Sequence, residues 1–413
     1  MNVLILKILI MKRATGFYDR LCTIENIDLA DKNARKGKIH SKVFIEKHDK
    51  NRKEDNLKLL QPFKDLTYKT SKYDVFKIYE PKEREIYRLP YYPDRIAHHA
   101  IMNVVKEYWT SLFITNTYSC IEGRGISKCA KDVKYTLNKY KEETKYCLKI
   151  DIKKFYPSIK HNILKKILRW KIKDEKFLTI LDEIIDSVNP YVPNRGIGVP
   201  IGNYLSQFFA NLYLTQFDHY IKEVLRVKFY FRYADDCVFL ASSKQELWDV
   251  FNKINKYLND NLELEIKPNY AVFEVDKRGI DFVGYVFYHN YTLLRKSIKI
   301  KVTKLINAYK NNKISIYKFK KVFSSYYGWF KLCNSKHYLQ KVFERIGIWY
   351  SNFNGKRITQ TELKHKFYKA VSIELRNSSI VINLIYDHHP RILKKKLTKW
   401  NKQYILQEFQ QFL

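Results

Sequence analysis

The chain has no hydrophobic run long enough to cross a membrane. Its most apolar stretch, residues 1–11 (MNVLILKILIM), is about half the length of the roughly twenty residues that a spanning helix needs. Basic residues follow it where a secretion signal would have a small-residue cleavage site. We therefore expect no membrane partner. Residues 1–11 are interpreted as a buried strand or helix, or as sequence upstream of a true start at Met11.

Cysteine is also scarce, and its spacing excludes two kinds of site. The six cysteines form no Cys-x-x-Cys pair and no spacing typical of metal ligands; they are Cys22, Cys120, Cys129, Cys147, Cys237 and Cys333. Such a set is typical of reduced thiols in a cytoplasmic protein. The histidine pair in DHHP (387–390) is interpreted as structural or surface-exposed rather than as a metal site.

Acidic residues are few relative to basic ones. Asp and Glu total 42 against 77 Lys and Arg, which gives a net charge of +35. A chain this basic repels itself unless it binds an anionic partner, and nucleic acid is the first candidate. By charge alone an anionic membrane surface would be the second candidate, and a basic but inert surface is the alternative to both. Hydrophobic residues make up 46% of the chain, which is enough for a large core. The length of 413 residues predicts two to four domains, with three as the central expectation.

Hydrophobic periodicity predicts an α+β fold in which an antiparallel sheet is backed by helices. Residues 146–156 and 229–240 are predicted to form strands, the second set as a strand-turn-strand hairpin. Long helices are predicted from Tyr204 and after Ser243, whose side chain is the predicted N-cap. From Leu294 onward the pattern is helical and very basic.

Two neighbouring aspartates interrupt the apolar segment FYFRYADDCVFL, residues 229–240. Asp235 and Asp236 repel each other, and apolar surroundings make each charge more unfavourable. A third aspartate, Asp151, ends the apolar segment YCLKID, and the three carboxylates converge if that strand pairs beside the hairpin. Two Mg²⁺ ions would neutralise such a cluster, activate a hydroxyl and stabilise a leaving pyrophosphate. The alternative is a surface turn that uses Asp for solubility.

These segments resemble the ordered motifs of bacterial reverse transcriptases. RYADD (232–236) is similar to the catalytic hairpin, KIDIKKFYPSI (149–159) to the first palm motif, and GVPIGNYLSQFFANLYL (198–214) to the second. LELEIKPN and IDFVGYVF resemble the fourth and fifth motifs, and SSYYGWFKLCN resembles the thumb. The resemblance covers about residues 15–345. It implies a right-hand polymerase that copies RNA into DNA with two Mg²⁺ or Mn²⁺ ions.

The resemblance assigns the metal chemistry to the three aspartates. Asp151 and Asp235 would bind the metal ions directly, together with the backbone carbonyl of Ile152, and Asp236 would be a nearby acid with a less direct role. Tyr156 matches the steric gate, a ring that clashes with a 2′-hydroxyl and so favours deoxynucleotides. Core packing is the alternative role for this ring.

The other matched positions imply contacts with the incoming nucleotide and the primer. Arg84 matches the fingertip residue that grips the triphosphate, and Lys82 is a second candidate; a solvated charge on an edge strand is the alternative. Lys267 matches the lysine that protonates pyrophosphate, unless it is only a strand-end lysine beside Pro268. Gly202 would let a nucleotide or duplex approach the backbone. The primer grip would consist of Phe282, Val283, Gly284 and Tyr285.

The second palm motif departs from the common pattern Gln-Gly-x-x-x-Ser-Pro. Ile201 stands in place of the first Gln and Gln207 in place of the Pro, and Asn203 follows the glycine. This form resembles the reverse transcriptases of diversity-generating retroelements, in which it accompanies error-prone copying. Ile201 cannot make the hydrogen bonds that a glutamine would make. The resemblance also assigns Asn203 and Gln207 to the nucleotide site.

The order of the motifs predicts the domain organisation. The predicted segments are an N-terminal helical extension (1–60), fingers (61–145), a palm (146–292) with a fingers insertion at about 160–200, a thumb (293–350) and a basic helical C-terminal extension (351–413). Such an extension resembles those of defence-associated reverse transcriptases of the abortive-infection and unknown-group kinds. No zinc or HNH nuclease pattern of an intron-encoded enzyme follows the predicted thumb.

The implied partners are nucleic acids and nucleotides. We expect a dedicated noncoding RNA as template, a DNA primer or product, and dNTPs. An accessory protein, a second polymerase subunit or a second copy of the chain would complete the complex. A catalytically silent RNA-binding protein on a polymerase scaffold is one alternative function, and it would explain the charge but not three carboxylates. A template-independent or protein-primed DNA polymerase is the other.

Overall fold

The computed structural model describes residues 13–37, 42–79, 83–187, 196–345, 373–376 and 379–382. The predictions for residues 1–11, for Lys82 and for the DHHP motif therefore lie outside the described residues. The described residues form two compact units, one up to Arg278 and one from Gly279. Both contain helices and antiparallel strands, which confirms the predicted α+β class.

Helices make up most of the first unit. In chain order, its α-helices are α1 (Phe17–Leu21), α2 (Ile24–Ala34), α3 (Lys42–Lys50), α4 (Arg52–Lys64), α5 (Ile96–Leu112), α6 (Ile126–Lys139), α7 (Phe155–Ser158), α8 (His161–Lys171), α9 (Glu175–Asp186), α10 (Tyr204–Tyr213), α11 (Thr215–His219), α12 (Lys244–Leu262) and α13 (Val275–Arg278). The predicted cap is confirmed, because the Ser243 side chain accepts a hydrogen bond from the amide of Glu246. The long helix predicted from Tyr204 is divided between α10 and α11.

The strands of the first unit form a hairpin and a four-stranded antiparallel sheet. The hairpin consists of β1 (Asp74–Ile78) and β2 (Arg84–Arg88). The sheet has the spatial order β4 (Phe229–Tyr233), β5 (Asp236–Ala241), β3 (Tyr146–Asp151) and β6 (Ala271–Glu274). Strand β3 thus pairs with β5 on one side and with β6 on the other. The predicted strand-turn-strand hairpin corresponds to β4 and β5.

Helix α12 packs against this sheet. Its buried residues Leu247, Phe251, Ile254 and Leu258 recur at helical spacing, and the helix contacts β3, β5 and β6. Each such side chain contributes about 1.5–3 kcal/mol on burial. The face of the sheet that this helix covers is therefore part of the buried core.

The second unit contains a three-stranded antiparallel sheet, three longer helices and a separate hairpin among its described residues. These elements are β7 (Ile280–Phe282), β8 (Tyr285–Phe287), β9 (Thr292–Leu294), α14 (Lys296–Lys310), α15 (Ile316–Phe330), α16 (Lys336–Arg345), β10 (Ile373–Arg376) and β11 (Ser379–Ile382). The helical prediction after Leu294 is confirmed up to Arg345.

The helical prediction is wrong for β10 and β11, which pair as an antiparallel hairpin. Their sequences, IELR and SIVI, are rich in β-branched residues, which favour strands over helices. The rest of residues 351–413 lies outside the described residues. Over the described part of the chain, no helix has both the length and the apolar character to span a bilayer.

Candidate active site

The end of the central sheet brings Asp151, Asp235 and Asp236 together. Asp151 is the last residue of β3, and Asp236, the first of β5, is its register partner. Side chains that are directly opposite in an antiparallel pair lie on the same face, so these two carboxylates are neighbours. Asp235 lies in the turn before β5, and its carbonyl accepts a hydrogen bond from the amide of Ile152 at 3.3 Å. The carboxylates that the sequence pattern singled out therefore converge, while their roles stay a prediction.

Burial and mutual repulsion oppose the ionisation of two of these carboxylates. Burial, the charge of Asp151 and a hydrogen bond to its carboxyl group raise the pKa of Asp235 to about 6. Burial also raises the pKa of Asp236 to about 7, although the nearby Lys149 lowers it. The Oδ1 atoms of Asp151 and Asp236 are buried without a hydrogen-bond partner. The cluster therefore contains acceptors that the protein alone does not satisfy.

Two lysines partly neutralise the carboxylates. The Nζ atom of Lys267 is 2.6 Å from Oδ2 of Asp151, and Nζ of Lys149 is 3.4 Å from Oδ2 of Asp236. The backbone amide of Lys267 also donates to the carbonyl oxygen of Asp151 at 2.8 Å. The structure thus places Lys267 beside Asp151, and its role in pyrophosphate protonation stays a prediction.

The donor set suits a hard divalent cation. Within the described ranges, no three His, Cys, Asp or Glu side chains are arranged as a ready-made metal-ligand cluster. Mg²⁺ does not require one, because it keeps several waters and usually takes one or two protein carboxylates plus substrate phosphates. A cation would satisfy the unpartnered Oδ1 atoms and favour the ionised form of Asp235. The residues present therefore fit Mg²⁺ or Mn²⁺.

Tyr156 lies within electrostatic reach of the carboxylates. This residue of α7 is half-buried, and burial is the main cause of its raised pKa. The charges of Cys120 and Asp235 raise the pKa of Tyr156 further, whereas Arg232 and Arg84 lower it. Arg84 is the exposed first residue of β2. Tyr156 therefore lies within electrostatic range of both Asp235 and Arg84, and its role as a steric gate stays a prediction.

The loop before α10 is tied to the β1–β2 hairpin. The amide of Tyr87 donates to the carbonyl of Ile201 at 2.9 Å. Gly202 has a φ of +114°, and a Cβ added there would lie 3.1 Å from Cγ2 of Ile86. Both the backbone conformation and the close approach of the hairpin therefore favour glycine at this position. An approach of nucleotide to Gly202 stays a prediction.

The two polar residues at the start of α10 have different environments. Asn203, which precedes the first turn, is buried, and its Nδ2 atom has no hydrogen-bond partner. Gln207, one turn later, is half-buried. A buried donor without a partner is unfavourable, so a ligand that accepts a hydrogen bond from Asn203 would gain affinity. Direct contact of either residue with a nucleotide stays a prediction.

The predicted primer grip forms the β7–β8 turn of the second unit. Phe282 ends β7, Tyr285 begins β8, and Val283 and Gly284 between them have positive φ angles of 42° and 89°. A Cβ added at Gly284 would lie only 2.3 Å from the Trp329 ring. The hydroxyl of Tyr285 donates to the Trp329 carbonyl at 3.0 Å. The turn is thus anchored to α15 within its own unit.

Sequence reasoning missed two cations, Lys149 and Arg232, beside the turn that contains Asp235. Arg232 is fully buried and forms an ion pair with the equally buried Asp218. A signal for Arg232 was present, because a charge inside the apolar strand FYFRY requires a buried partner. The identity of that partner was not readable, since Asp218 lies on a separate helix.

Comparisons with known proteins agree with the motifs. A family model described as "Reverse transcriptase (RNA-dependent DNA polymerase)" matches residues 80–287. The "Putative COX1/OXI3 intron 2 protein" of Saccharomyces cerevisiae is 23% identical over 35% of this chain and 24% of that protein. Protein YkfC of Escherichia coli is 27% identical over 36% of this chain and 40% of that protein. The chain thus spans less than half the length of these curated relatives.

Solved structures overlap with the chain less closely. Telomerase from Candida albicans in complex with a TWJ fragment of telomeric RNA has a TM-score of 0.46 at 14% identity, over 82% of this chain and 67% of that one. A partial Cas6-RT-Cas1--Cas2 complex has a TM-score of 0.36 at 17% identity, over 60% of this chain and 43% of that one. Structural similarities with TM-scores this low do not assign a function to the chain. The family match covers just over half of the chain and includes all three aspartates, so this chain belongs to the reverse transcriptase family.

Proposed function

We propose that this chain is an active RNA-directed DNA polymerase that copies a dedicated RNA into DNA. The proposal is carried by the pairing of Asp151 with Asp236 beside Asp235, with two carboxylate oxygens left unpartnered. Membership of the reverse transcriptase family supports RNA-directed DNA polymerase activity in general. The net charge of +35 favours a polyanionic template and primer.

Asp151 and Asp235 would hold two divalent cations, Mg²⁺ or Mn²⁺, with the carbonyl of Ile152 as a further ligand. When bound, these ions supply activation of the primer 3′-hydroxyl and charge stabilisation for the leaving pyrophosphate. The primer 3′-hydroxyl loses its proton to water, and its oxygen forms a bond to the α-phosphorus while the bond from that phosphorus to the pyrophosphate oxygen breaks. Lys267, which lies beside Asp151, would then donate a proton to the pyrophosphate.

The incoming nucleotide would lie between Tyr156 and the β1–β2 hairpin. Tyr156 would press against the sugar and exclude a 2′-hydroxyl, which selects dNTPs over ribonucleotides. Arg84 would bind the triphosphate through its planar fork of donors, with Lys82 as a second cation. Asn203 and Gln207 would complete the pocket through their amide groups.

The domain assignment remains part of this proposal. We assign the fingers to residues 61–145, the palm to 146–292 and the thumb to 293–350, with extensions at both ends. The turn from Phe282 to Tyr285 would hold the primer strand. Its rigidity, which arises from the packing of Gly284 against Trp329, supports such a role.

We further propose a biological role in anti-phage defence or in diversity generation, within the cytoplasm. The apolar Ile201 supports error-prone copying, because it lacks the hydrogen bonds of glutamine. A noncoding RNA would be the template, and an accessory protein, a second polymerase subunit or a second copy of the chain would be the protein partner. Sequencing of the nucleic acid that copurifies with the chain tests this role. DNA with substitutions opposite template adenines favours diversity generation, whereas faithful copies of one noncoding RNA favour defence.

Primer extension by the purified full-length chain tests the catalytic proposal. The substrate is poly(rA) annealed to oligo(dT), with dTTP and either Mg²⁺ or Mn²⁺. We expect Asp235→Asn to lower the rate by about a thousandfold or more, because a direct metal ligand is lost. Asp260→Asn is the matched control, since Asp260 pairs with Lys256 on the outer surface of α12.

Two outcomes would reject the catalytic proposal. An unchanged rate after the double change Asp235→Ala and Asp236→Ala would exclude catalysis by these carboxylates. A wild-type chain that binds the duplex but extends no primer would instead favour the silent RNA-binding scaffold.

Extension without template, or a product that enters the aqueous phase only after protease treatment, would favour the template-independent or protein-primed alternative.

A further inference from the structure

Arg232 is a buried cation just before the catalytic turn that the proposed mechanism does not use. It lies in β4, and its side chain and that of Asp218 in α11 are both 0% exposed. Burying an ion pair is unfavourable unless close geometry and additional hydrogen bonds compensate for the lost hydration. Replacement of a buried ion pair by apolar side chains of similar volume is often neutral or stabilising. The charged pair therefore requires a further explanation.

The guanidinium group of Arg232 is fixed in orientation by Asp218. Its Nε donates to Oδ1 at 2.8 Å and its Nη2 donates to Oδ2 at 2.6 Å. The hydroxyls of Tyr230 and Thr117 donate to the same carboxylate at 2.7 and 3.0 Å. The two hydroxyls fix the carboxylate, and the carboxylate binds the planar guanidinium at two nitrogens. The guanidinium therefore has little freedom to rotate. The remaining nitrogen, Nη1, therefore points in one direction.

That nitrogen contacts the backbone of the catalytic turn. Nη1 of Arg232 donates to the carbonyl of Ala234 at 3.0 Å and to Oδ1 of Asn211 at 3.2 Å. Ala234 has a φ of +56°, in the left-handed region that residues other than glycine disfavour. This residue directs the chain from β4 into Asp235. A fixed donor on its carbonyl stabilises the unfavourable conformation that presents Asp235 to Asp151.

We propose that Arg232 is a positioning residue for the metal-binding turn, and that Asp218 orients Arg232 for this purpose. The inference rests on the proposed polymerase function, because it concerns the alignment of Asp235. It predicts an effect on turnover and on metal affinity. Arg84 and Tyr156, the proposed nucleotide contacts, lie on other elements than the turn, so the effect is expected on turnover and metal affinity rather than on the KM for dTTP.

The test compares two ways of removing the ion pair with a truncation elsewhere in the core. Arg232→Lys keeps the charge but loses the planar fork and the Nη1 donor. The double change Arg232→Met and Asp218→Leu replaces the pair with apolar side chains of similar size, an exchange that often preserves folding. Leu258→Ala is the control for lost stability, because Leu258 in α12 is 0% exposed and is not among the partners of the turn.

Three measurements on each full-length variant separate positioning from folding. They are urea unfolding, Mn²⁺ binding by electron paramagnetic resonance without nucleic acid, and dTTP incorporation on poly(rA)–oligo(dT). We expect both Arg232 variants to lose about tenfold or more in kcat and to bind Mn²⁺ several-fold more weakly, with the KM for dTTP unchanged. Leu258→Ala should be destabilised to a similar extent but keep the wild-type kcat and Mn²⁺ affinity.

Several results would overturn the inference. Folded Arg232 variants with wild-type kcat and Mn²⁺ affinity would do so, as would a Leu258→Ala variant with the same losses. If both Arg232 variants fail to fold while Leu258→Ala folds, the ion pair serves folding and the inference is wrong. If the wild-type chain extends no primer but Mn²⁺ binding still weakens in the Arg232 variants, only the proposed function fails. A wild-type chain that neither binds Mn²⁺ nor extends a primer overturns both.

Discussion

Lys267 meets Asp151 through both its backbone and its side chain. Its amide donates to the Asp151 carbonyl at 2.8 Å, and its ammonium group lies 2.6 Å from the Asp151 carboxylate. The backbone contact fixes the lysine at the end of β3. The ammonium group lies at Oδ2 of the carboxylate, whose Oδ1 is buried without a partner and would face a cation. A metal ion at Oδ1 and the Lys267 ammonium group at Oδ2 therefore compete for the charge of Asp151.

Replacement of this lysine should separate metal binding from turnover. In Lys267→Gln the competing cation is gone, so we expect Mn²⁺ to bind the nucleic-acid-free protein several-fold more tightly. The rate of nucleotide incorporation should nevertheless fall about tenfold or more, because the proposed proton donor for pyrophosphate is lost. Mn²⁺ titration and single-turnover kinetics measure the two effects. Lys256→Gln is the control. It removes an exposed lysine paired with Asp260 and should change neither the Mn²⁺ affinity nor the incorporation rate. An unaltered Mn²⁺ affinity in Lys267→Gln would contradict competition between Lys267 and the metal ion.

The raised pKa of Asp236 predicts how stability depends on pH in the absence of metal. Because burial raises the pKa from its model-compound value of 3.8 to about 7, the folded state binds this proton more tightly than the unfolded state does. The stabilisation is complete below about pH 4 and is lost as the pH rises through about 7. Asp236→Asn has no charge to bury. We therefore expect Asp236→Asn to be more stable than the wild type above pH 7, by on the order of 1–4 kcal/mol, and to lose this advantage near pH 4.

Urea denaturation in EDTA at about pH 4.5 and about pH 7.5 measures this difference between the two proteins. The comparison cancels the titration of all groups that the two chains share. Asp260 is an exposed aspartate on α12. The variant Asp260→Asn is therefore the control and should show no pH-dependent gain in the free energy of unfolding. If the difference in free energy of unfolding between Asp236→Asn and the wild type is the same at both pH values, burial does not hinder the ionisation of Asp236.

Sugar selection provides a test of Tyr156. In Tyr156→Ala the ring that would contact the sugar is removed, so we expect the preference for dTTP over UTP to fall by about tenfold or more. Tyr156→Phe keeps the ring and loses only the hydroxyl, and it should keep the preference. Competing incorporation of the two nucleotides on poly(rA)–oligo(dT) measures the ratio. If Tyr156→Ala discriminates as well as the wild type does, the ring is a packing residue and not a gate.

Gly202 combines an unusual backbone angle with a close neighbour, and the two can be tested apart. Gly202→Ala would strain a φ of +114° and place its Cβ 3.1 Å from Ile86. Gly16→Ala would strain a φ of +79° with nothing within 4 Å. We expect each to lower the free energy of unfolding by about 1–2 kcal/mol, whereas only Gly202→Ala should raise the KM for dTTP, several-fold. An unchanged KM in Gly202→Ala would separate this loop from the nucleotide site.

The sequence predicted those parts of the candidate site that can be recognised from residues adjacent along the chain. Asp235 and Asp236 interrupt an apolar alternation, and Asp151 ends another, so their position at strand ends could be read directly. The helix cap at Ser243 was readable for the same reason, since its partner Glu246 is three residues away. The hairpin at β10 and β11 was not predicted, because the basic composition around it is also typical of helices.

The sequence by itself determined which residues carry charge into an apolar setting: Asp151, Arg232, Asp235 and Asp236 are each adjacent to strand-forming side chains. The tertiary structure alone decided how those charges are compensated. The strand order β4-β5-β3-β6 makes Asp151 the register partner of Asp236, and the chain returns from α12 to place Lys267 on Asp151. Asp218 reaches Arg232 from a separate helix. Electrostatic pairing depends on distance in space, which the spacing of residues along the chain does not specify.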